Sequence, residues 1–251
     1  VVVLLHGIIT RPPIFPPQIL DQINVLQSLM LTLTNALTAD GWVVVYPSYN
    51  EDFSNPATFP GCPAYGVQLD IANDAGNGAR YKASTLHWWD HVLNFVHSAY
   101  GNWPLVPFGV SDGGWHALTV AINKTSTITA YGCHVPVTIL SHLSSVFTYP
   151  ADWTGLTTTG ADVGPTALNG ITSVPGYVGW STTDTAVGTT DPSTLANNAV
   201  TAGAPVTTLA DQTNNHGLYH TDIDGSSGTF TGTPITTWFT GTVDPLCPKV
   251  F

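Results

Sequence analysis

The six residues Gly109-Val110-Ser111-Asp112-Gly113-Gly114 constrain the fold more than any other stretch of this chain. They follow the apolar run Leu105 to Val110, which reads as a buried strand, and open the run Gly113 to Ile122, which reads as a helix. A strand that turns directly into a helix around a serine needs small residues on both sides, because the two backbones come too close for side chains. Such a turn lifts the hydroxyl above the strand end and sets it at a helix N-terminus, where backbone N–H groups stabilise developing negative charge. A bare Gly-x-Ser-x-Gly also fits a glycine-rich turn, and it is the strand before it and the helix after it that give it weight. Ser111 is therefore the candidate nucleophile.

The surrounding segments alternate in type. Val1 to Leu5 is an unbroken β-branched and aliphatic run, the profile of a strand buried on both faces. Gln18 to Thr38 places Ile19, Ile23, Leu26, Leu29, Met30, Leu33 and Leu37 at helical spacing, closed by Asp40-Gly41. Trp42 to Tyr46 reads as the second buried strand, stopped by Pro47, and Ser48 to Gly78 as a long loop. Ser84 is expected to cap a helix reaching about His97, with Trp88, Trp89, Val92, Leu93 and Val96 on its buried face. A fourth strand falls within Ile128 to Leu140, interrupted by Gly132 and Pro136. Tyr177 to Trp180 and Val206 to Leu209 are two more, and Pro192 to Ala202 between them is helix-compatible. The expected fold class is α/β: an open, mostly parallel sheet of about six strands with helices on both faces. The 251 residues suffice for one domain, 1–251, in which the Thr- and Gly-rich stretch 141–174 is a candidate lid or cap.

Composition narrows the function classes. Charged residues are only 8% of the chain and its net charge is -11, so its surface repels nucleic-acid phosphates and anionic lipid heads. The cations Arg11, Arg80, Lys82, Lys124 and Lys249 are scattered and form no basic patch. No apolar run approaches the roughly 20 residues of a membrane-spanning helix. Residue 1 already lies in an apolar run, so no signal peptide is read and the chain is expected to be processed or excised from a longer one. Cys62, Cys133 and Cys247 lack metal-ligand spacing and allow at most one intrachain disulfide. The lysine-poor, Thr- and Gly-rich composition fits an extracellular or particle-associated setting.

His6-Gly7 ends the first strand. With it the chain resembles the α/β-hydrolase superfamily, in which a His-Gly pair follows the strand beside the nucleophile strand. The resemblance implies that the backbone N–H groups of Ile8 and Asp112 form an oxyanion hole. On the residues alone, His6 fits equally well as a group satisfying the backbone near the turn. The family's chain order, nucleophile then acid then histidine, points to two loops. Trp180-Ser181-Thr182-Thr183-Asp184 resembles the acid loop, which makes Asp184 the candidate acid and Asp191 its reserve; an acid there also fits a plain turn. The run from Asp211 to His220 offers His216, followed by glycine, as candidate base and His220 as competitor. These two histidines have the i, i+4 spacing of a metal site, but no Glu follows the first, so the zinc-protease signature is absent and no metal is expected. His87, His91 and His97 share one predicted helix and read as surface or satisfied groups. A triad of this kind needs no cofactor.

The resemblance covers residues 1–8, 42–47, 105–122 and 176–220. Because the chain begins at the strand carrying His-Gly, the two leading strands of the full superfamily sheet are expected to be missing. It thus resembles a minimal member, close to cutinases and small esterases or depolymerases. The implied strand order puts 42–47 at one edge, then 1–5, then 105–110, then the rest in sequence. The implied activity is hydrolysis of a carboxylic ester, whether small-molecule, lipid or polymeric, through an acyl-enzyme on Ser111. A serine peptidase of the same fold and a non-catalytic binding or structural module are the alternatives. Trp115, Tyr149 and Trp153 are candidate linings of an acyl pocket, or else core residues.

Overall fold

The computed structural model describes residues 1–5, 29–47, 78–139 and 162–247, without the side chains of residues 78–85, 87 and 88. In chain order the elements are β1 (Val2–Leu5), α1 (residues 29–39), β2 (Val44–Val45), α2 (Gly78–Tyr100), β3 (Val106–Val110) and α3 (Asp112–Asn123). They continue with β4 (Tyr131–His134), β5 (Gly176–Ser181), α4 (Thr190–Thr201), β6 (Val206–Asp211), α5 (His220–Ile223), β7 (Phe230–Gly232) and α6 (Ile235–Trp238). The strands form one sheet in the order β2-β1-β3-β4-β5-β6-β7, parallel throughout except for β7, which runs antiparallel to β6. From β2 to β6 this is the order implied by the sequence.

Alternation along the strands divides the core into two layers. Val3 and Leu5 of β1, with Tyr131 and Cys133 of β4 and Val178 of β5, face α2, α3 and α4, which contribute Trp89, Trp115, Leu118 and Leu195. Val2 and Leu4 of β1, with Val106, Phe108 and Val110 of β3, Tyr177 and Leu209, face α1 and the C-terminal helices. Phe108 anchors this second layer: its ring lies 6.0 Å from Tyr177, 6.5 Å from Trp238 and 6.0 Å from Phe239. Burial on both faces explains why β1 is a continuous hydrophobic run rather than an alternating one.

Glycines appear where the layers come closest. A Cβ on Gly109 would stand 2.0 Å from the carbonyl oxygen of Gly113, and one on Gly114 would stand 2.9 Å from Cβ of Pro136. A Cβ on Gly132 would enter the Phe108 ring at 2.3 Å, so that ring occupies the space a β4 side chain would fill.

The structure departs from the sequence reading at several places. A seventh strand, β7, follows the strands read from the sequence and pairs with β6. Its three residues include Gly232 at φ 111, too brief and too irregular to show a period. α2 begins at Gly78, so Ser84 lies inside it rather than capping it. The preceding Ala79, Arg80, Tyr81, Lys82 and Ala83 carry no helix breaker, so propagation through them outweighs a cap. The second strand is only Val44–Val45, and Trp42 packs edge-on against Phe239 at 5.5 Å. Trp115 is completely buried in the core, which removes it from the candidate pocket linings. Of the candidate lid, residues 162–174 form turns, while 141–161, with Tyr149 and Trp153, lie outside the described residues, as does most of the 48–78 loop.

Gly109→Ala is expected to destabilise the fold by about 1–3 kcal/mol or more, because its methyl group meets backbone that cannot rotate away. Gly164→Ala, where a Cβ meets nothing within 4 Å, is expected to stay within roughly 0.5 kcal/mol of the parent. Denaturant unfolding of both variants checks the contrast.

Candidate active site

The nucleophile turn follows from β3 running straight into α3. Ser111 takes φ 58 and ψ -120, a conformation that costs a non-glycine residue on the order of 1–3 kcal/mol. The surrounding backbone holds it there. Its N–H donates to the His134 carbonyl at 3.0 Å, and its own carbonyl accepts from Gly114 at 3.0 Å, Trp115 at 3.2 Å and Val137 at 3.1 Å. Val135, directly after β4, is also left-handed at φ 42, and its N–H donates to the Gly179 carbonyl at 2.9 Å. The segment after β4 thereby wraps the serine turn. Asp112 is the first residue of α3, where helix N–H groups have no intrahelical acceptor. Ile8, the other expected oxyanion donor, lies outside the described residues together with His6 and Gly7.

Two loops at the ends of β5 and β6 converge on the serine. His216 Nε2 lies 2.8 Å from Ser111 Oγ, and His216 Nδ1 lies 2.8 Å from Asp184 Oδ2. The other Asp184 oxygen, Oδ1, accepts from Ala186 N–H at 2.7 Å and Val187 N–H at 3.0 Å. Burial alone would raise the Asp184 carboxyl, but the hydrogen bond and charge of His216, with those two amides, outweigh it and hold the group below its ordinary value. Asp184 is thus a carboxylate near neutral pH and can only accept, so Nδ1 of His216 carries the proton and Nε2 is left to accept from the Ser111 hydroxyl. The imidazole is 23% exposed and the carboxylate 1%, so the solvent-facing end of the chain is the serine end.

Side-chain to backbone bonds shape both loops. Asp211, buried at the end of β6, accepts from Thr213 N–H at 2.7 Å, Asn214 N–H at 3.2 Å and Asn214 Nδ2 at 2.7 Å. Asn215 Oδ1 accepts from His216 N–H at 2.8 Å and from Thr185 N–H at 3.0 Å, tying the base loop to the acid loop. Ser181 Oγ and Thr183 Oγ1 both donate to the Asn214 carbonyl. Gly217 takes φ 133, which explains the glycine after His216: the chain must leave the imidazole in a conformation that side chains disfavour.

The competing candidates stand elsewhere. His220 begins α5, its backbone carbonyl accepting from Asp224 and Gly225, and Asp191 lies in the first turn of α4. His91 and His97 are exposed on α2, and the side chain of His87 is not described. Among the described residues no group of three His, Cys, Asp or Glu side chains stands together as a metal site, and no helix is long and apolar enough to cross a membrane. Cys133 and Cys247 are both free thiols, and Cys62 lies outside the described residues. The reading of the sequence missed Asp211, Asn214 and Asn215, although their Asx spacing ahead of His216 is a turn signal.

No protein-family model matches the sequence, and no curated protein does. Solved structures do. The esterase Pf2001 of Pyrococcus furiosus superposes with a TM-score of 0.54 at 13% identity, over 86% of this chain and 74% of its own. The esterase domain of a Rhodothermus marinus protein gives 0.52 at 16%, over 88% and 79%. A sugar hydrolase from Lactococcus lactis, YeeB, gives 0.55 at 12%, over 86% and 75%. The chain has an α/β-hydrolase fold. Within an α/β-hydrolase fold, the strand-to-helix turn at Ser111 and the loops after β5 and β6 sit at the carboxyl ends of parallel strands, where open α/β sheets place their ligands.

Because the folded Asp184 carboxyl titrates below the unfolded value of about 3.9, its stabilisation is fully present above that pH and lost as pH falls through the folded value. Asp184→Asn is therefore expected to be less stable than the parent at neutral pH, on the order of 1–3 kcal/mol. The two should converge below about pH 4, which denaturant unfolding from pH 7 to 2 would read directly. A constant gap across that range would deny the carboxylate's charge any role.

Proposed function

We propose that this chain is a serine hydrolase that cleaves carboxylic esters through an acyl-enzyme intermediate. The observation that carries the reading is the unbroken chain Ser111 Oγ, His216, Asp184, with 2.8 Å at both links, placed at a strained turn that opens a helix. His216 takes the Ser111 proton as Oγ attacks the acyl carbonyl, and Asp184 holds the tautomer and stabilises the imidazolium. The tetrahedral oxyanion forms beside the Asp112 N–H at the start of α3, with the Ile8 N–H as the implied second donor. His216 then returns its proton to the leaving alcohol, and water, deprotonated by the same imidazole, releases the acid. The strain at Ser111 serves this reading, since a turn held at such a cost in free energy keeps the hydroxyl out in the open. An ester is preferred to an amide because the Pyrococcus and Rhodothermus neighbours are described as esterases, while the sugar hydrolase in the same fold leaves the alcohol and acyl groups open. The low charge and acidic balance of the surface fit a neutral ester substrate better than an anionic one, and an extracellular or particle-associated setting belongs to the same reading.

Turnover of a p-nitrophenyl ester is expected for the parent chain. Ser111→Ala should lower turnover by about 10⁶-fold and Asp184→Asn by about 10⁴-fold. A fluorophosphonate probe should label the parent at Ser111 and leave Ser111→Ala unlabelled. Retention of most activity by Ser111→Ala would place the nucleophile elsewhere. A parent inert toward esters, amides and the probe alike would make this a binding module on a hydrolase scaffold.

A further inference from the structure

A second histidine–carboxylate pair lies beneath the site. His134 Nε2 is 3.3 Å from Asp222 Oδ2, and both side chains are buried, at 1% and 0% exposure. His134 ends β4 and Asp222 lies in α5, so the pair joins the sheet to the segment that follows His216. Asp222 Oδ2 accepts from Tyr219 N–H at 2.8 Å, and its approach to His134 is a close polar contact rather than an aligned hydrogen bond. Tyr219 Oη donates to the His216 carbonyl at 3.4 Å. The sheet makes room for this pair: a Cβ on Gly179, opposite His134 in β5, would stand 2.2 Å from His134 Nδ1. Burial, then the nearby charge of Asp222, pushes the Tyr177 phenol well above its ordinary value.

His134 is also the residue whose carbonyl accepts the Ser111 N–H at 3.0 Å. Its backbone thus holds the nucleophile, while its side chain packs against Asp222, which in turn accepts from Tyr219 N–H behind the base loop. The far end of the loop depends on tertiary contacts, since α5 spans four residues and a helix that short does not hold itself together. Other ties of this segment are Thr236 Oγ1, which donates to the Ile223 carbonyl at 2.8 Å, Asn214 Nδ2, which donates to Thr221 Oγ1 at 3.2 Å, and the buried Leu218 and Ile223 side chains. At the near end, Asp211, Asn214 and Asn215 fix the loop to β6 and to the acid loop. Resting on the serine-hydrolase reading above, we propose that His134 and Asp222 are positioning residues that set the approach of His216 to Ser111 from the far end of the base loop.

The test compares the parent with His134→Leu and His134→Gln. It measures kcat and KM on a p-nitrophenyl ester, the rate of Ser111 labelling by a fluorophosphonate, and the downfield proton resonance of His216 Nδ1–H. His134→Leu is expected to lower kcat by about 10²-fold with KM within about twofold, since misplacing a reacting group by an ångström has that effect. Labelling should slow in proportion, and the His216 resonance should move. His134→Gln keeps a polar side chain against Asp222 and should recover most of both. If His134→Leu does not fold, Asp222→Asn keeps volume and an oxygen for Tyr219 N–H while removing the charge; it should lose about tenfold in kcat and shift the same resonance. A folded His134→Leu, or Asp222→Asn in its place, with kcat within about twofold of the parent or with an unmoved His216 resonance, would overturn the proposal. If the parent itself neither cleaves the ester nor takes the probe, the hydrolase reading falls, while the resonance still decides whether His134 positions His216.

Discussion

Between Gly109 and the carbonyl of Gly113 there is no room for a methyl group, and that close approach organises what surrounds it. The end of β3 and the first turn of α3 can lie that close only if the intervening residue turns sharply, which puts Ser111 at φ 58. Such a turn would relax if left alone. It persists because the carbonyl of His134 takes the Ser111 N–H and the N–H of Val137 takes the Ser111 carbonyl, so β4 and the chain after it clamp the turn from the side. Gly114 extends the same contact by letting α3 settle against Pro136 and Cys133. Strain at the serine is thus balanced by hydrogen bonds and packing in the neighbouring strand rather than within the turn itself.

The loops that complete the site depend on a different kind of support. With charged residues at only 8%, this chain fixes its loops with short polar side chains that bond to nearby backbone. Asp211, Asn214, Asn215 and Asp184 each accept or donate within a few residues of themselves, and Thr183 and Ser181 bridge the acid and base loops. The bonds of Asp211 and Asp184 are local and shape each loop, whereas those of Ser181, Thr183 and Asn215 cross from one loop to the other. The meeting itself is then a matter of where β5 and β6 end, and adjacent parallel strands in register from Gly176↔Val206 to Ser181↔Asp211 end side by side.

Much of this was legible in the sequence because the informative signals are local. The continuous hydrophobic run of β1, the glycines around Ser111 and the apolar stripe of α3 each declare an element within a dozen residues, and the parallel order follows from their alternation. Ser111, Asp184 and His216 were singled out together through turn context and chain order, and the structure brings those three side chains into one hydrogen-bonded line. What stayed hidden needed contacts between distant segments. The pairing of His134 with Asp222 leaves no trace in spacing, since each residue alone resembles an ordinary strand-end histidine or helical aspartate. β7 escaped because three residues with a positive-φ glycine carry no period, and the early start of α2 because a good helix former before a cap erases the cap's signal. For Trp115 the sequence left pocket lining and core packing both open, because proximity to the serine in sequence does not say which side of a helix a residue occupies, and the structure places it in the core.

The two ends of the sheet have a bearing on how such a chain stays dispersed. A parallel sheet whose interior strands are almost wholly hydrophobic exposes, at each border, a row of backbone donors and acceptors that another chain could extend. Many proteins guard that border with lysines, and this one has three lysines in its whole length. Here the border strands are instead cut short. β2 offers two residues on one side, and β7 offers three on the other, the last of them a glycine at φ 111. Among the described residues, brevity at the margins limits the backbone left open to strand pairing without calling on lysines.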